Sequence, residues 1–521
     1  MPPTPPPRPA APPSGYYANA HDRARAGVYE RREADWRNGA VVYQVLVDRF
    51  APSADLEAKR HLYPAPKRLR AWDEVPTLGP YLPDERLWSH EIDFWGGDLA
   101  STQARLQHVE DLGADVLYLN PICASYTNHR YDALDYTAVA PELGTRADVA
   151  ALADDLHGRG MRLVLDGVFN HLGRNNQIFR AAQADPDSPY RSWFDFDERY
   201  AGGARAWALA ENLPELVLET PAVRDYLYAG HDSVVRGYLR DGVDGWRLDV
   251  AFDLGFRFLE ELTLAAHEER PGSLVLGEIA SYAAEWFPSL DGILHWSLRQ
   301  VLVGIASGRL GAAHGQRILA RTYADADPEH MLKSWLFLDN HDTARLAHDV
   351  PDVAARRLAM ALQFTLPGSP NIYYGSELGM TGGEDPEMRA PMRWDLATDA
   401  NPWLELTRRL VAARREHRAL RVGDLRWLET DRLIGFERHT DRAEDLVLVL
   451  ANPSDERVTE TVLLPDSKLM DSIPMVDLLG GAPDLKTRFG MLDVDLPPHG
   501  CVVLAPTVTP PGGYSPFKRV Q

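Results

Sequence analysis

The chain is poor in cysteine. Its 521 residues include only Cys123 and Cys501, which excludes a disulfide framework and a cysteine-built zinc site. Two reduced thiols are expected. Basic residues are also short: 55 Lys plus Arg stand against 76 Asp plus Glu, a net charge of −21. Binding a polyphosphate backbone needs a basic face, so no nucleic-acid partner is expected. The same charge disfavours an anionic membrane or a polyanionic substrate and leaves a neutral one. Long apolar runs are missing too. No stretch approaches the roughly 18 residues of a membrane helix, so no membrane partner is expected. The opening segment, MPPTPPPRPAAPPSG, lacks the charged-then-apolar order of a signal peptide. Its density of proline reads as an extended, disordered tail, with a lead-in to residue 40, and the expected location is the cytoplasm.

What is present is ordinary for a globular protein: 45% hydrophobic and 25% charged residues. From Val41–Val47 (VVYQVLV) onward, strand-like and helix-like segments alternate. Asp115–Asn120 follows the helical stretch Leu99–Leu112, and Arg162–Val168 follows Thr145–His157, which ends at Gly158 and Gly160. Val243–Val250, Leu274–Glu278, Asp291–Leu294, Trp335–Asn340 and Asn371–Tyr374 complete eight apolar strands. Such strands spaced by amphipathic helices imply a parallel sheet covered on both faces. Eight βα units predict an α/β fold, a (β/α)8 TIM barrel over residues 41–422, with an open doubly wound sheet as the alternative. Two long stretches interrupt the rhythm, 51–95 and an inserted lobe at about 172–220; loops of such length are usually functional. From 423 to 507 only strands follow, which predicts a C-terminal antiparallel β-sandwich, and 508–521 reads as a tail.

In such a barrel chemistry sits at the carboxyl ends of the strands. Asp249, Glu278 and Asp342 are acids at three such ends, and a fourth, Asp166–His171, closes on a histidine. Alternate residues of a strand share a face, so Arg247 points with Asp249. A neighbouring guanidinium would keep Asp249 ionised, as a nucleophile requires. Glu278 ends the run Leu274-Val275-Leu276, where desolvation would keep it protonated as a general acid. Two carboxyls in opposed environments suit glycosidic cleavage. One acid at a strand end is ordinarily a helix cap or salt-bridge partner; three on different strands, with Arg and His beside them, argue for a site. His171 alone would be a core histidine, but in this company it becomes a donor to sugar hydroxyls. Tyr131, Trp193 and Trp207, in long loops, are candidates to stack on sugar rings.

At these residues the chain resembles the α-amylase family of glycoside hydrolases. DGVFNH (Asp166–His171), GWRLDV (Gly245–Val250), GEIA (Gly277–Ala280) and DNHD (Asp339–Asp342) match that family's four signature regions in order. FWGGDL, NHRYDALDY and PNIYYGSELG resemble its neopullulanase, cyclomaltodextrinase and maltogenic amylase branch. The resemblance implies Asp249 as nucleophile, Glu278 as acid/base and Asp342 as the stabiliser that grips sugar hydroxyls. It implies Tyr131 under the sugar at the cleaved bond, with His171, Arg247, His341 and Arg345 binding that sugar or orienting the carboxylates. The implied reaction is retaining hydrolysis of α-1,4-glucosidic bonds in maltodextrins or cyclodextrins, with α-1,6 cleavage also in the branch's range. A glucanotransferase or trehalose-forming isomerase would use the same intermediate, and a non-catalytic glucan-binding scaffold is the remote alternative. Phe252-Asp253 and Ala280 depart from the branch on its acceptor side. With 40 residues before the first strand, the branch's N-terminal β-domain and the dimer it builds are not expected, and no oligomeric state is legible. Asn170 matches a calcium ligand of classical α-amylases, but the Lys-His after their nucleophile strand is missing and the branch's calcium loop shrinks to Ala51–Asp55. No metal or other cofactor is expected.

Overall fold

The computed structural model describes residues 18–481, 485–508, 516–517 and 519–520. The proline-rich opening and most of the segment beyond 508 lie outside them. Eight parallel strands close a barrel: β1 (Val42–Val45), β2 (Val116–Leu119), β3 (Arg162–Gly167), β4 (Gly245–Leu248), β5 (Leu274–Ile279), β6 (Gly292–His295), β7 (Trp335–Leu336) and β8 (Ser369–Tyr373). Each pairs with its neighbours in sequence, and β1 closes the ring, Val42 lying opposite Val116 on one side and Asn371 on the other. Closure rather than an open sheet is the tertiary outcome of the eight-strand pattern.

Two apolar layers follow from the strand alternation. Val42, Val116, Tyr118, Val164, Leu276, Leu294 and Trp335 fill the barrel interior. Leu117, Leu163, Leu165, Trp246, Leu248 and Val275 face the surrounding helices. Gly245 opens β4 where a Cβ would come within 2.5 Å of Leu274 O, so only glycine lets β4 and β5 enter the barrel side by side. Helix Arg146–Gly158 starts on a reciprocal cap between Thr145 and Asp148. The stretch Leu99–Leu112, expected as one helix, is two, Leu99–Gln103 and Leu106–Leu112. The break falls at Arg105, whose guanidinium lies 4.4 Å from the Trp394 ring.

The sequence pattern missed the helix Ala20–Ala34. It carries almost no apolar period because ion pairs dock it: Arg32 meets Glu329 at 2.8 Å and Asp424 at 2.9 Å, and Tyr29 donates to Asp424 at 2.6 Å. Beyond the barrel come β9 (Asp424–Trp427), β10 (Ile434–His439), β11 (Val447–Ala451), β12 (Val458–Leu463), β13 (Pro474–Asp477), β14 (Leu485–Lys486), β15 (Met491–Leu496) and β16 (Cys501–Pro506). They form a six-stranded antiparallel sheet, β9-β10-β11-β16-β13-β14, and the pair β12-β15. Leu448, Leu450, Val462, Val494 and Leu504 are buried in one core there. Ile434, Phe436 and Val449, on the other face of the large sheet, join the barrel's core. The short β13 and β14 have no alternating pattern and so leave no strand signal in the sequence.

The two excursions are folded. Residues 51–95 hold a hairpin, Tyr81–Leu82 with Leu87–Trp88, and a small core of Tyr63, Leu87, Ile92 and Phe94. The lobe at 172–220 carries the helix Gln177–Ala184 and a cluster of Phe179, Phe194 and Phe196. A further hairpin after β2, Cys123–Ser125 with Ala133–Val139, carries Tyr131 in its loop. Cys123 and Cys501 are free.

Candidate active site

Above the apolar interior, the inward positions at the strand ends turn polar: Gln44 on β1, Asn120 after β2, Asp166 on β3, Arg247 on β4 and Glu278 on β5. They floor a cavity of about 760 Å³ that is lined by Tyr131, His171, Asp249, Glu278, Trp296 and Asp342. That volume suits a short oligosaccharide.

Arg247 organises the floor. It is fully buried, and its Nη1 lies 2.8 Å from Asp166 Oδ1 and 3.0 Å from Asp249 Oδ1, while Nη2 sits 2.8 Å from Glu278 Oε2. One guanidinium thus serves three carboxyls. The chain turns sharply after Asp249, with Val250 at φ 39°, ψ 46°, a left-handed conformation that a β-branched residue adopts only under compulsion. The turn aims Val250 N–H at Glu278 Oε2, 3.1 Å away. Trp296 Nε1 donates to Glu278 Oε1 at 3.1 Å. Asp342 faces the pair from the β7 side, a third exposed to the cleft, with His341 Nε2 at 3.0 Å and Arg389 Nη2 at 3.3 Å.

The expectation that Arg247 keeps Asp249 simply ionised needs correction. Burial pushes the Asp249 carboxyl well above its usual range; Arg247 opposes this, and the charges of Glu278, Asp166 and Asp342 add to the rise. The cation is divided, so the cluster as a whole favours holding a proton and favours positive charge arriving among its carboxylates. Histidine 341 is the reverse case. Burial, then Arg247 and Arg389, hold it neutral, well below the usual histidine range. Its Nδ1 lies 2.9 Å from Gln44 Nε2 and 3.1 Å from Asn120 Nδ2. Gln44 Oε1 accepts from Asn371 Nδ2 at 3.0 Å, which orients the Gln44 amide. With two amides donating to Nδ1, the proton sits on Nε2, which donates toward Tyr131 OH and Asp342.

Of the residues singled out from sequence, Asp249, Glu278, Asp342, Tyr131 and His171 line the cavity, and Arg247 and His341 lie directly beneath it. Burial lowers His171 to about 3, so it is neutral; its Nε2 has no protein partner and its ring stacks on Trp207 at 5.6 Å. Arg345 does not reach the cavity. It is buried beneath, donating to Met388 O at 3.0 Å and lying 4.2 Å from the Tyr373 ring, where it ties the β7 loop to the β8 end. Trp193 is likewise core, packed on Tyr190 and Tyr226; of the lobe's two tryptophans only Trp207 reaches the cleft. The reading missed Asp166, Gln44, Asn120, Trp296 and Arg389. Asp166 opened a quoted motif, and its strand-end position was the available signal. Arg389 closes the single 3-10 turn Glu387–Arg389, too short to carry a periodicity, so nothing local marks it.

A sequence model of the "Alpha amylase, catalytic domain" matches residues 44–419. The chain belongs to the α-amylase family. Among relatives of this α-amylase-family enzyme, neopullulanase 2 of Thermoactinomyces vulgaris is 30% identical over 507 residues, 93% of this chain and 82% of the relative. The intracellular maltogenic amylase of Bacillus subtilis (strain 168) is 31% identical over 430 residues, 78% of this chain and 67% of the relative. Among solved structures, the ligand-free cyclic α-maltosyl-(1→6)-maltose hydrolase of Arthrobacter globiformis aligns with a TM-score of 0.75 and 29% identity, covering 90% of this chain and 99% of that one. The chain is thus a glycoside hydrolase, and its substrate is an oligosaccharide.

At two positions weighed for calcium, oxygen atoms already have protein partners. The main-chain carbonyl of Asn170 accepts from Leu216 N–H at 2.9 Å. Asp55 caps its own turn through Ala58 N–H. Among the described residues no group of three or more His, Cys, Asp or Glu side chains is arranged to hold a metal ion.

Proposed function

We propose that this α-amylase-family enzyme hydrolyses α-1,4-glucosidic bonds of maltodextrins or cyclodextrins with retention, with Asp249 as nucleophile, Glu278 as acid/base and Asp342 as the group that grips the sugar. The observation that carries this is the Arg247 fork. It touches both Asp249 and Glu278, keeping them close, as a retaining pair at roughly 5–5.5 Å requires. Glu278 gives its proton to the leaving oxygen as Asp249 attacks the anomeric carbon and the C–O bond breaks. The positive charge developing on the sugar arrives among Asp249, Asp166 and Asp342, where a buried anionic cluster stabilises it. Water then attacks the glycosyl ester, Glu278 takes its proton, and Asp249 leaves as carboxylate. The relatives named above include a neopullulanase and a cyclic α-maltosyl-(1→6)-maltose hydrolase, which supports α-1,6 cleavage within the same site.

The lobe and the hairpin rise over the strand ends, so short or cyclic glucans are the expected substrates ahead of raw starch. Cytoplasmic residence fits two free thiols and an intracellular relative; no described helix is long and apolar enough to cross a membrane. Product analysis on maltotriose, β-cyclodextrin and pullulan, with the anomer followed by NMR from the first turnover, tests the reading. An initial α-anomer and a dead Asp249→Asn variant are expected; an initial β-anomer would refute retention.

A further inference from the structure

Two loops from different parts of the chain meet over the cleft. The hairpin Tyr81–Trp88 is rooted on the Asp342 side: His90, just past it, lies 4.0 Å from Asp385, which pairs with Arg389 at 3.3 Å, and Arg389 holds Asp342. The lobe tip is rooted on the Asp249 side: Trp207 stacks on His171 and bonds Asp253, four residues past Asp249. Arg86 Nη1 and Glu211 Oε2 join the two tips in an ion pair, and both residues line the cavity. Backbone strain gathers at this junction. Arg86 has φ 56°, and the consecutive Ala208 and Leu209 have φ 47° and 65°. Non-glycine residues hold left-handed conformations only where surrounding contacts impose them. Leu209 is 93% exposed at the rim, so burial of its side chain is not what imposes its conformation.

We propose that the Arg86–Glu211 pair is a clasp across the cleft that makes this hydrolase select glucan chain ends over internal segments of a polymer. The inference rests on the proposed glucan hydrolysis and specifies how substrate enters. A polymer strand must lie along an open groove to be cut internally, and the clasp obstructs that approach from one wall to the other. A chain end or a short oligosaccharide enters beneath it. Both partners are about a third exposed, so the pair holds by only a modest factor and is weakened by salt. The hairpin has an anchor of its own outside the pair, since Glu85 accepts from Tyr126 OH at 2.9 Å. Arg174 also faces Glu211 and would partner it if Arg86 were removed, so the decisive change is at Glu211.

The test compares Glu211→Gln with the parent on maltotriose and on soluble amylose, scoring reducing ends released per unit fall in viscosity. The parent should release many ends before viscosity falls. Glu211→Gln should raise kcat/KM on amylose by about two- to fivefold and shift cleavage inward, while maltotriose turnover stays within about twofold. Raising salt from about 0.1 M to 1 M, where the screening length falls from roughly 10 to 3 Å, should move the parent the same way and leave Glu211→Gln unmoved. The exchange Arg86→Glu with Glu211→Arg should restore end selectivity. A parent that lowers amylose viscosity as fast as it releases ends, or a variant with unchanged amylose cleavage, overturns the clasp while leaving glucan hydrolysis standing. Failure of the parent to cut any α-glucan overturns the functional reading instead.

Discussion

Replacing Gln44 by leucine tests whether the β1 amide sets the proton position on His341. The side chain is buried and makes three contacts: Nε2 with Asn120 Oδ1 at 3.0 Å and His341 Nδ1 at 2.9 Å, and Oε1 with Asn371 Nδ2 at 3.0 Å. Leucine fills similar space and leaves Asn371 Nδ2 and Asn120 Oδ1 without those partners. A buried polar group left unpaired costs about 1–3 kcal/mol, so a loss of about 2–5 kcal/mol of stability is expected. The kinetic effect has a different origin. With one amide donor gone, the Nδ1–H tautomer becomes accessible, and His341 then presents a bare Nε2 to Asp342 and the sugar. Losing one preorganised donor typically costs about 10²–10³ in kcat, so a fall of about a hundredfold is expected, with KM changed less. Gln44→Glu separates the two effects. Its carboxylate demands a proton on Nδ1, so the variant is active only while His341 is an imidazolium that still donates from Nε2. Its activity should fall as pH rises through the imidazolium pKa, where the parent's does not. Steady-state kinetics on maltotriose, with folding checked by circular dichroism, decide the matter. A folded Gln44→Leu enzyme with kcat within about threefold of the parent would refute the tautomer argument.

Asp249→Asn should abolish turnover and stabilise the fold. Because the folded-state pKa of Asp249 is raised, its charge costs stability at neutral pH, and the cost vanishes below the unfolded value of about 3.9. The variant should therefore melt about 2 °C or more above the parent near neutrality, and the gap should close on acidification; a constant gap would contradict the burial argument. For the same reason the acid limb of kcat/KM should lie above the ordinary carboxylate range. Trp296→Phe removes one N–H bond to Glu278 and should lower kcat about tenfold or more, since bonds to charged groups are worth about 1.5–3 kcal/mol; an unchanged kcat would show that bond to be idle. Arg345→Met should lower the melting temperature and leave KM for maltotriose within about twofold, because Arg345 supports the β7 loop without lining the cavity. Activity should survive a chelator, and loss in EDTA restored by calcium would show that the donors near Asn170 rearrange to bind it.

The chain's own letters determine the barrel, the sandwich and the three carboxylates. Those features rest on local periodicity: buried parallel strands read as apolar runs, and acids at or beyond their carboxyl ends stand out against them. The helix Ala20–Ala34 was invisible because charge pairs with Glu329 and Asp424 dock it, and such pairs leave no hydrophobic rhythm. Arg345 sits three residues past the acid of the histidine–acid pair beyond β7, yet its guanidinium is spent on backbone carbonyls below the cavity. Only the tertiary structure decides where a long side chain ends. Closure of the barrel brings Gln44 and Asn120 against one imidazole, with Asn371 behind Gln44, and Asp166, Asp249 and Glu278 around one guanidinium. The protonation of those groups is settled by burial and by neighbours up to 297 residues apart in sequence, which no local pattern encodes.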